Sequence, residues 1–96
     1  MKITLVGSHI CPNTLYAINK LKDTGVEFAF KDLSASLADL KYFLALHEHA
    51  DVYASFREMS GNEDYLASGK IGLPCYVFED GTRTLDMATA IEKAKS

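Results

Sequence analysis

The segment KITLVGSHICPNT, residues 2–14, carries the clearest indication of architecture in this chain. Its first part is rich in β-branched and apolar side chains, which predicts a short strand over residues 2–7. Residues 8–10 are predicted to form a loop. Pro12 favours a helix that begins directly after Cys11, because proline at the first helical position loses no hydrogen bond. The segment therefore predicts a strand, a loop and a helix with a cysteine at its N-terminus.

The remaining sequence extends this beginning into the order β-α-β-α-β-β-α. Apolar residues recur at helical spacing as far as Thr24-Gly25, where glycine supplies a left-handed cap. The further predicted elements are a strand over 26–31, a helix capped by Ser34 or Ser36 that breaks near 48–51 and continues to 60–61, a loop with one helical turn over 62–70, an apolar strand over 71–78, a type I′ hairpin turn over 79–82, a returning strand over 83–85 and a last helix capped by Asp86. This order predicts a single α/β domain over residues 1–96, with a mixed four-stranded sheet and helices on both faces.

Composition and charge narrow the class of protein. A hydrophobic fraction of 48% and a charged fraction of 24% are typical of a globular domain. The net charge is −3 and the basic residues form no cluster, which disfavours a nucleic-acid partner. No apolar run is long enough to cross a membrane, and residues 1–7 lack the pattern of a signal peptide. We therefore expect a cytoplasmic protein without a nucleic-acid or membrane partner, and the sequence leaves its oligomeric state open.

Cys11 is the residue at which we expect chemistry. The free N–H groups and the positive end of a helix dipole stabilise a thiolate, which is the nucleophilic form of cysteine. Pro12 fixes the first helical turn and therefore the direction of the sulfur. A charged His9 ring close to the sulfur would add to the effect. The alternative is that Cys11 is a buried cysteine that happens to begin a helix. Cys11 lies at the opening of a strand–helix–strand unit, and this position favours a reactive cysteine.

Pro74 breaks a local rule within the apolar strand predicted over 71–78. A central strand tolerates proline only at its start, at a bulge or in a cis turn. Broken rules of this kind often mark a functional site.

Three short motifs occur in order along the chain. They are Cys11-Pro12-Asn13-Thr14, Gly72-Leu73-Pro74-Cys75 and Glu79-Asp80-Gly81-Thr82. Together they resemble the glutaredoxin family of the thioredoxin-like superfamily. More narrowly, the chain is similar to small glutaredoxin-related proteins of anaerobic bacteria, in a Cys-Pro-x-Thr form. The resemblance implies a thioredoxin-like fold and a thiol–disulfide oxidoreductase.

The resemblance also implies roles for individual residues. Cys11 would attack disulfides or mixed disulfides, with Pro12 and Thr14 beside it. Pro74 would be a cis-proline facing the site, and the backbone of Leu73 would pair with a bound peptide or glutathione-like thiol. The implied substrate is a protein or small-molecule disulfide. No resident cofactor or metal is implied, and the implied co-substrate is glutathione or another low-molecular-weight thiol.

Two positions depart from the family pattern. Thr14 stands where the dithiol form has its second, resolving cysteine. Two routes stay open: a second small thiol releases Cys11, or Cys75 resolves the mixed disulfide because it adjoins Pro74. An inert Cys75 buried in its apolar strand is the alternative. Asp86 lies where glutaredoxins hold a glutathione carboxylate, but the Gly-Gly pair is missing, so a plain helix cap competes with substrate binding.

Two other functions remain open at this stage. Loss of the dithiol motif also suits a non-catalytic binding or regulatory module that kept the fold. An oxyanion reductase, such as an arsenate reductase, would need cations near Cys11, and the nearest lysine in sequence is Lys20. A metal site at His47 and His49 is disfavoured, because residues two apart on a helix point to different faces.

Overall fold

The computed structural model of the chain describes residues 1–58 and 71–96. Within these ranges the elements are β1 (Ile3–Gly7), α1 (Pro12–Thr24), β2 (Phe28–Asp32), α2 (Leu37–His49), a 3-10 turn (Asp51–Tyr53), α3 (Ala54–Glu58), β3 (Cys75–Phe78), β4 (Arg83–Thr84) and α4 (Met87–Lys95). Two predictions, that the second helix continues to 60–61 and that residues 62–70 form a loop, lie outside the described residues.

The four strands form one mixed sheet in the order β2-β1-β3-β4. β1 pairs in parallel with β2 and antiparallel with β3, and β3 pairs antiparallel with β4. The predicted mixed four-stranded sheet is therefore confirmed, with its parallel first unit and its antiparallel hairpin.

Helices cover both faces of this sheet, as predicted. Helices α1 and α4 pack on the face that carries Ile3, Leu5 and Tyr76. Helix α2 and the 3-10 turn pack on the other face, against Val6 and Cys75. Successive residues of a strand point to opposite faces, so Cys75 and Tyr76 belong to different cores. Cys75 therefore lies on the face that is turned away from α1.

Three helix ends match the predicted caps. Gly25 ends α1 with a φ of 73°, in the left-handed region. The Ser36 hydroxyl caps α2 by accepting a hydrogen bond from the Asp39 amide at 3.3 Å. The Asp86 carboxylate caps α4 by accepting from the Thr89 amide at 2.9 Å. Each cap satisfies helix-end groups that would otherwise lack a partner.

The apolar strand predicted over 71–78 is shorter than expected, because β3 begins only at Cys75. Gly72 has a φ of 75°, and the Leu73–Pro74 peptide bond is cis. Pro74 also has no N–H for a ladder hydrogen bond. Pro74 therefore stands just before the strand, in one of the places where proline is tolerated.

The hairpin between β3 and β4 exists, but its predicted type I′ turn is wrong. That turn requires positive φ at two central residues, and only Gly81, at 87°, has one. The Phe78 amide donates to the Thr82 carbonyl at 2.9 Å, which closes a three-residue loop over 79–81. Asp80 accepts hydrogen bonds from the Thr82 amide at 3.0 Å and from its hydroxyl at 2.7 Å, and these stabilise the longer loop.

Candidate functional site around Cys11

Cys11 occupies the N-cap of α1, as the sequence predicts. Its backbone is extended, with φ −95° and ψ 118°, and Pro12 follows in the first helical turn. The Cys11 amide donates to the Ser8 carbonyl at 3.0 Å, and the Cys11 carbonyl accepts from the Leu15 amide at 3.1 Å. The side chain is partly exposed. The sulfur is therefore held at a helix N-terminus and remains accessible to solvent.

The surroundings of Cys11 favour its thiolate. Partial burial opposes ionisation, but the Thr14 hydroxyl and the Thr14 and Asn13 amides outweigh it and lower the pKa of the Cys11 thiol. The Thr14 hydroxyl oxygen accepts a hydrogen bond from the Ser8 amide at 3.3 Å. Its own hydrogen is therefore free to point at the sulfur.

Thr14 is fully buried beneath β1, and Gly7 makes its position possible. A Cβ atom at residue 7 would lie 2.5 Å from Thr14 Oγ1 and 2.7 Å from Thr14 Cγ2. Both distances are too short for non-bonded atoms. Sequence analysis missed this role of Gly7, since the contact joins a strand end to a helix and has no local signal.

Leu73 lies close to Cys11, and Pro74 lines the neighbouring cavity. Leu73 lines a cavity of about 350 Å³ together with Cys11, and one of about 210 Å³ together with Pro74. Asn13 borders both cavities. The structure therefore brings a thiol and the segment before a cis-proline to a common surface.

Tyr53 fixes the segment that leads to Leu73. Its side chain is fully buried, and its hydroxyl donates to the Gly72 carbonyl at 2.6 Å. A Cβ atom at Gly72 would lie 2.7 Å from Tyr53 Cε1 and 3.1 Å from a ring carbon of Phe56. Glycine therefore lets the chain pass close to two aromatic rings. The sequence does not predict this role, because the contact joins Tyr53 to a residue 19 positions away.

Cys75 has no exposed surface and lies on the other side of the sheet from α1. Burial raises the pKa of its thiol to about 11, against the opposing effects of the Tyr53 hydroxyl and the Arg83 charge. The structure therefore places the two cysteines in different environments and does not bring Cys75 to the exposed side of Cys11.

The His9 ring is directed at Asp32. Its Nδ1 atom lies 2.8 Å from Asp32 Oδ2. The Asp32 carboxylate also accepts from the amides of Ser34, at 3.0 Å, and of His9, at 3.3 Å. Slight burial opposes ionisation of Asp32, but these hydrogen bonds and the His9 charge lower its pKa. His9 thus anchors the loop that precedes Cys11.

Asp86 serves α4 through its cap, and the Thr89 hydroxyl and amide lower the pKa of its carboxyl group against weak desolvation. No cluster of three or more His, Cys, Asp or Glu side chains in the described part of the chain is arranged to hold a metal ion. Within residues 1–58 and 71–96, no helix has the length and apolarity to span a bilayer.

Comparisons of the chain with protein-family models, curated proteins and solved structures found no match.

Proposed function

We propose that the chain is a glutaredoxin-like thiol–disulfide oxidoreductase with a thioredoxin-like fold. One observation carries this proposal: Cys11, a thiol of lowered pKa at a helix N-cap, shares a cavity with Leu73, directly before the cis peptide bond to Pro74. A thiolate is the attacking species in disulfide exchange, and this position supplies it beside a surface that can hold a substrate.

The exchange proceeds in two steps. The Cys11 thiolate attacks one sulfur of a substrate disulfide, a new S–S bond forms at Cys11, and the other substrate half leaves as a thiolate that takes a proton from water. A low-molecular-weight thiol such as glutathione then attacks the sulfur attached to Cys11, as its thiolate. This step releases Cys11 as a thiolate and carries the bound half away in a new disulfide. Cys11 is therefore unchanged over one cycle.

The positions of Thr14 and Cys75 support this monothiol route. The fully buried Thr14 supplies a hydroxyl where the dithiol pattern has a cysteine. Cys75 is also fully buried, faces the other core, and has a pKa of about 11, so little of it is thiolate near neutral pH. Resolution by Cys75 would require its strand to turn or open, whereas a small thiol needs only access to Cys11.

Leu73 is the proposed contact for the substrate backbone. Among the described residues, none forms a hydrogen bond with its backbone N–H or C=O. A bound peptide or small thiol can therefore pair with it beside the cavity that Leu73 shares with Cys11. Cys11 must stay a free thiol between cycles, which suits a reducing compartment such as the cytoplasm.

The test is the intact mass of the reduced protein after exposure to oxidised glutathione, repeated for Cys11→Ser and Cys75→Ser. The monothiol route predicts one glutathione adduct, absent from Cys11→Ser, present in Cys75→Ser and removed by a second thiol. Loss of two hydrogens that requires both cysteines would instead identify Cys75 as the resolving thiol. Free thiols that form neither product would contradict the oxidoreductase proposal and favour a binding module that kept the fold.

A further inference from the structure

Exposed apolar side chains occur next to Cys11 in the sequence and in the two cavities at the site. Ile10 directly precedes Cys11 and is 74% exposed, while Tyr16 is 55% and Ile71 48% exposed. Ile71 lines the cavity shared with Cys11, and Tyr16 lines the adjoining cavity beside Pro74. Three large exposed side chains on separate segments therefore lie beside Cys11 in the sequence, in its cavity or in the adjoining cavity, and the packing of the domain core does not account for them.

The two cavities contain no charged side chain among the described residues. Their polar members are Cys11, Asn13 and two tyrosines, and the other members are apolar side chains and glycine. Glutathione carries two carboxylates and one ammonium group, which lose hydration in such a cavity without gaining an ionic partner. An apolar peptide segment loses nothing comparable. The described lining of the two cavities therefore suits an apolar peptide better than a bound glutathione moiety.

The loop that presents Ile10 is held in place by hydrogen bonds. The Ile10 amide donates to Ser8 Oγ at 3.3 Å, and Ser8 Oγ is hydrogen-bonded to Ser34 Oγ. The neighbouring His9 is fastened to Asp32 by its ring and its amide. These hydrogen bonds hold the loop that carries Ile10 in one conformation. An apolar contact with Ile10 therefore costs little conformational entropy.

We propose that the substrate of this site is a protein disulfide whose reacting cysteine is flanked by apolar residues in an extended segment, rather than a glutathione mixed disulfide. This inference rests on the proposed function. No described residue is hydrogen-bonded to the backbone of Leu73, and an extended segment paired with it places its flanking side chains over the two cavities, beside Ile71 and Tyr16. Ile10, which directly precedes Cys11, offers a further exposed apolar side chain. The chemistry is the first exchange step described above.

The test compares three activated disulfides in single turnover with the reduced protein. Each carries thionitrobenzoate as the leaving group, so its release reports attack by Cys11 on the other half. The other halves are a short peptide with leucine and valine beside its cysteine, the same peptide with aspartate at those positions, and glutathione. We expect the apolar peptide to react about tenfold faster than the other two, after division by the rate of each with a free small thiol.

Variants locate the preference on the surface. Ile10→Ser and Ile71→Ser should each slow the apolar peptide about fivefold and so reduce its advantage over the aspartate peptide. Leu37→Ser and Leu44→Ser are matched controls on α2, with 67% and 45% exposure, and should change neither rate. Thermal unfolding of each variant separates a folding defect from a lost contact.

The remaining outcomes test the substrate inference and the oxidoreductase proposal separately. Equal normalised rates for the three disulfides, or equal losses in the control variants, would overturn the substrate inference and leave the oxidoreductase proposal standing. No reaction at Cys11 with any of them would refute the oxidoreductase proposal itself. A dimer in sedimentation that Ile10→Ser dissociates would show that a second copy of the chain occupies this surface, which would also overturn the inference.

Discussion

Gly7→Ala is the substitution with the most sharply defined consequence. The new Cβ atom would lie 2.5 Å from Thr14 Oγ1, so Thr14 must retreat by about 1 Å to restore ordinary contact. Thr14 is fully buried, and its hydroxyl is also held by the Ser8 amide. Overpacking of this kind costs about 1–3 kcal/mol of unfolding free energy, which for a domain of this size lowers Tm by roughly 10 °C.

A double-mutant cycle separates this clash from any other effect of the new methyl group. Thr14→Ala removes the two atoms that the methyl group would meet most closely and keeps the Thr14 Cβ atom at 3.1 Å, although it leaves the Ser8 amide without its acceptor. In that background Gly7→Ala should cost clearly less, so the two substitutions should couple by about 1–2 kcal/mol. Urea unfolding measures all four proteins, and the m-value should stay constant. An equal cost of Gly7→Ala in both backgrounds, or no cost in either, would refute the reasoning.

The site itself allows three further predictions. Thr14→Val removes the hydroxyl and keeps the side-chain shape, so the pH profile of Cys11 alkylation by iodoacetamide should move to higher pH. Thr14→Ser keeps the hydroxyl and should retain the profile. An unchanged profile for Thr14→Val would exclude the hydroxyl as a cause of the lowered Cys11 pKa. Tyr53→Phe deprives the Gly72 carbonyl of its donor and should lower the unfolding free energy by about 1–3 kcal/mol, measured in urea, and no loss would show that the bond is dispensable. The pKa of Asp32 is lower in the folded than in the unfolded chain, so its carboxylate stabilises the fold above the unfolded pKa, and this stabilisation is lost as the pH falls through the folded pKa. The Tm of Asp32→Asn should therefore fall less in acid than the Tm of the natural chain. Parallel curves of Tm against pH would contradict the assignment.

Local chemistry explains which parts of the fold could be predicted. The caps at Gly25, Ser36 and Asp86 each depend on residues within a few positions, and all three agree with the sequence. The predicted type I′ turn was wrong because the pairing of two strands, and not the local sequence, decides the length of the loop. Its two-residue loop would suit Asp80-Gly81 locally, but the pairing of Phe78 with Thr82 leaves three residues in the loop.

In the candidate site, too, the features set by neighbouring residues could be predicted and the contacts between different elements could not. The position of Cys11 before Pro12 predicts a thiol at a helix N-terminus, and the lowered pKa agrees with it. The contact of Gly7 with Thr14 connects two different elements, and the hydrogen bond from Tyr53 to Gly72 connects residues distant in sequence. No periodic pattern in the sequence marks such contacts. The face occupied by Cys75 follows from strand alternation, but only once the strand is known to begin there.

The hairpin between β3 and β4 also determines how the protein can be attached to a solid support. β3 begins opposite Val6, near the end of β1 that leads to Cys11, and finishes opposite Ile3, so the 79–81 loop lies at the far end of the sheet. Gly81 is exposed, and an added side chain there meets no neighbouring atom, although its positive φ favours keeping the glycine itself. A peptide tag inserted beside it would anchor the chain to a resin with Cys11 directed towards the solution. Such a resin, carrying the thiol in its reduced state, is suited to trapping disulfide partners as mixed disulfides from a flowing sample.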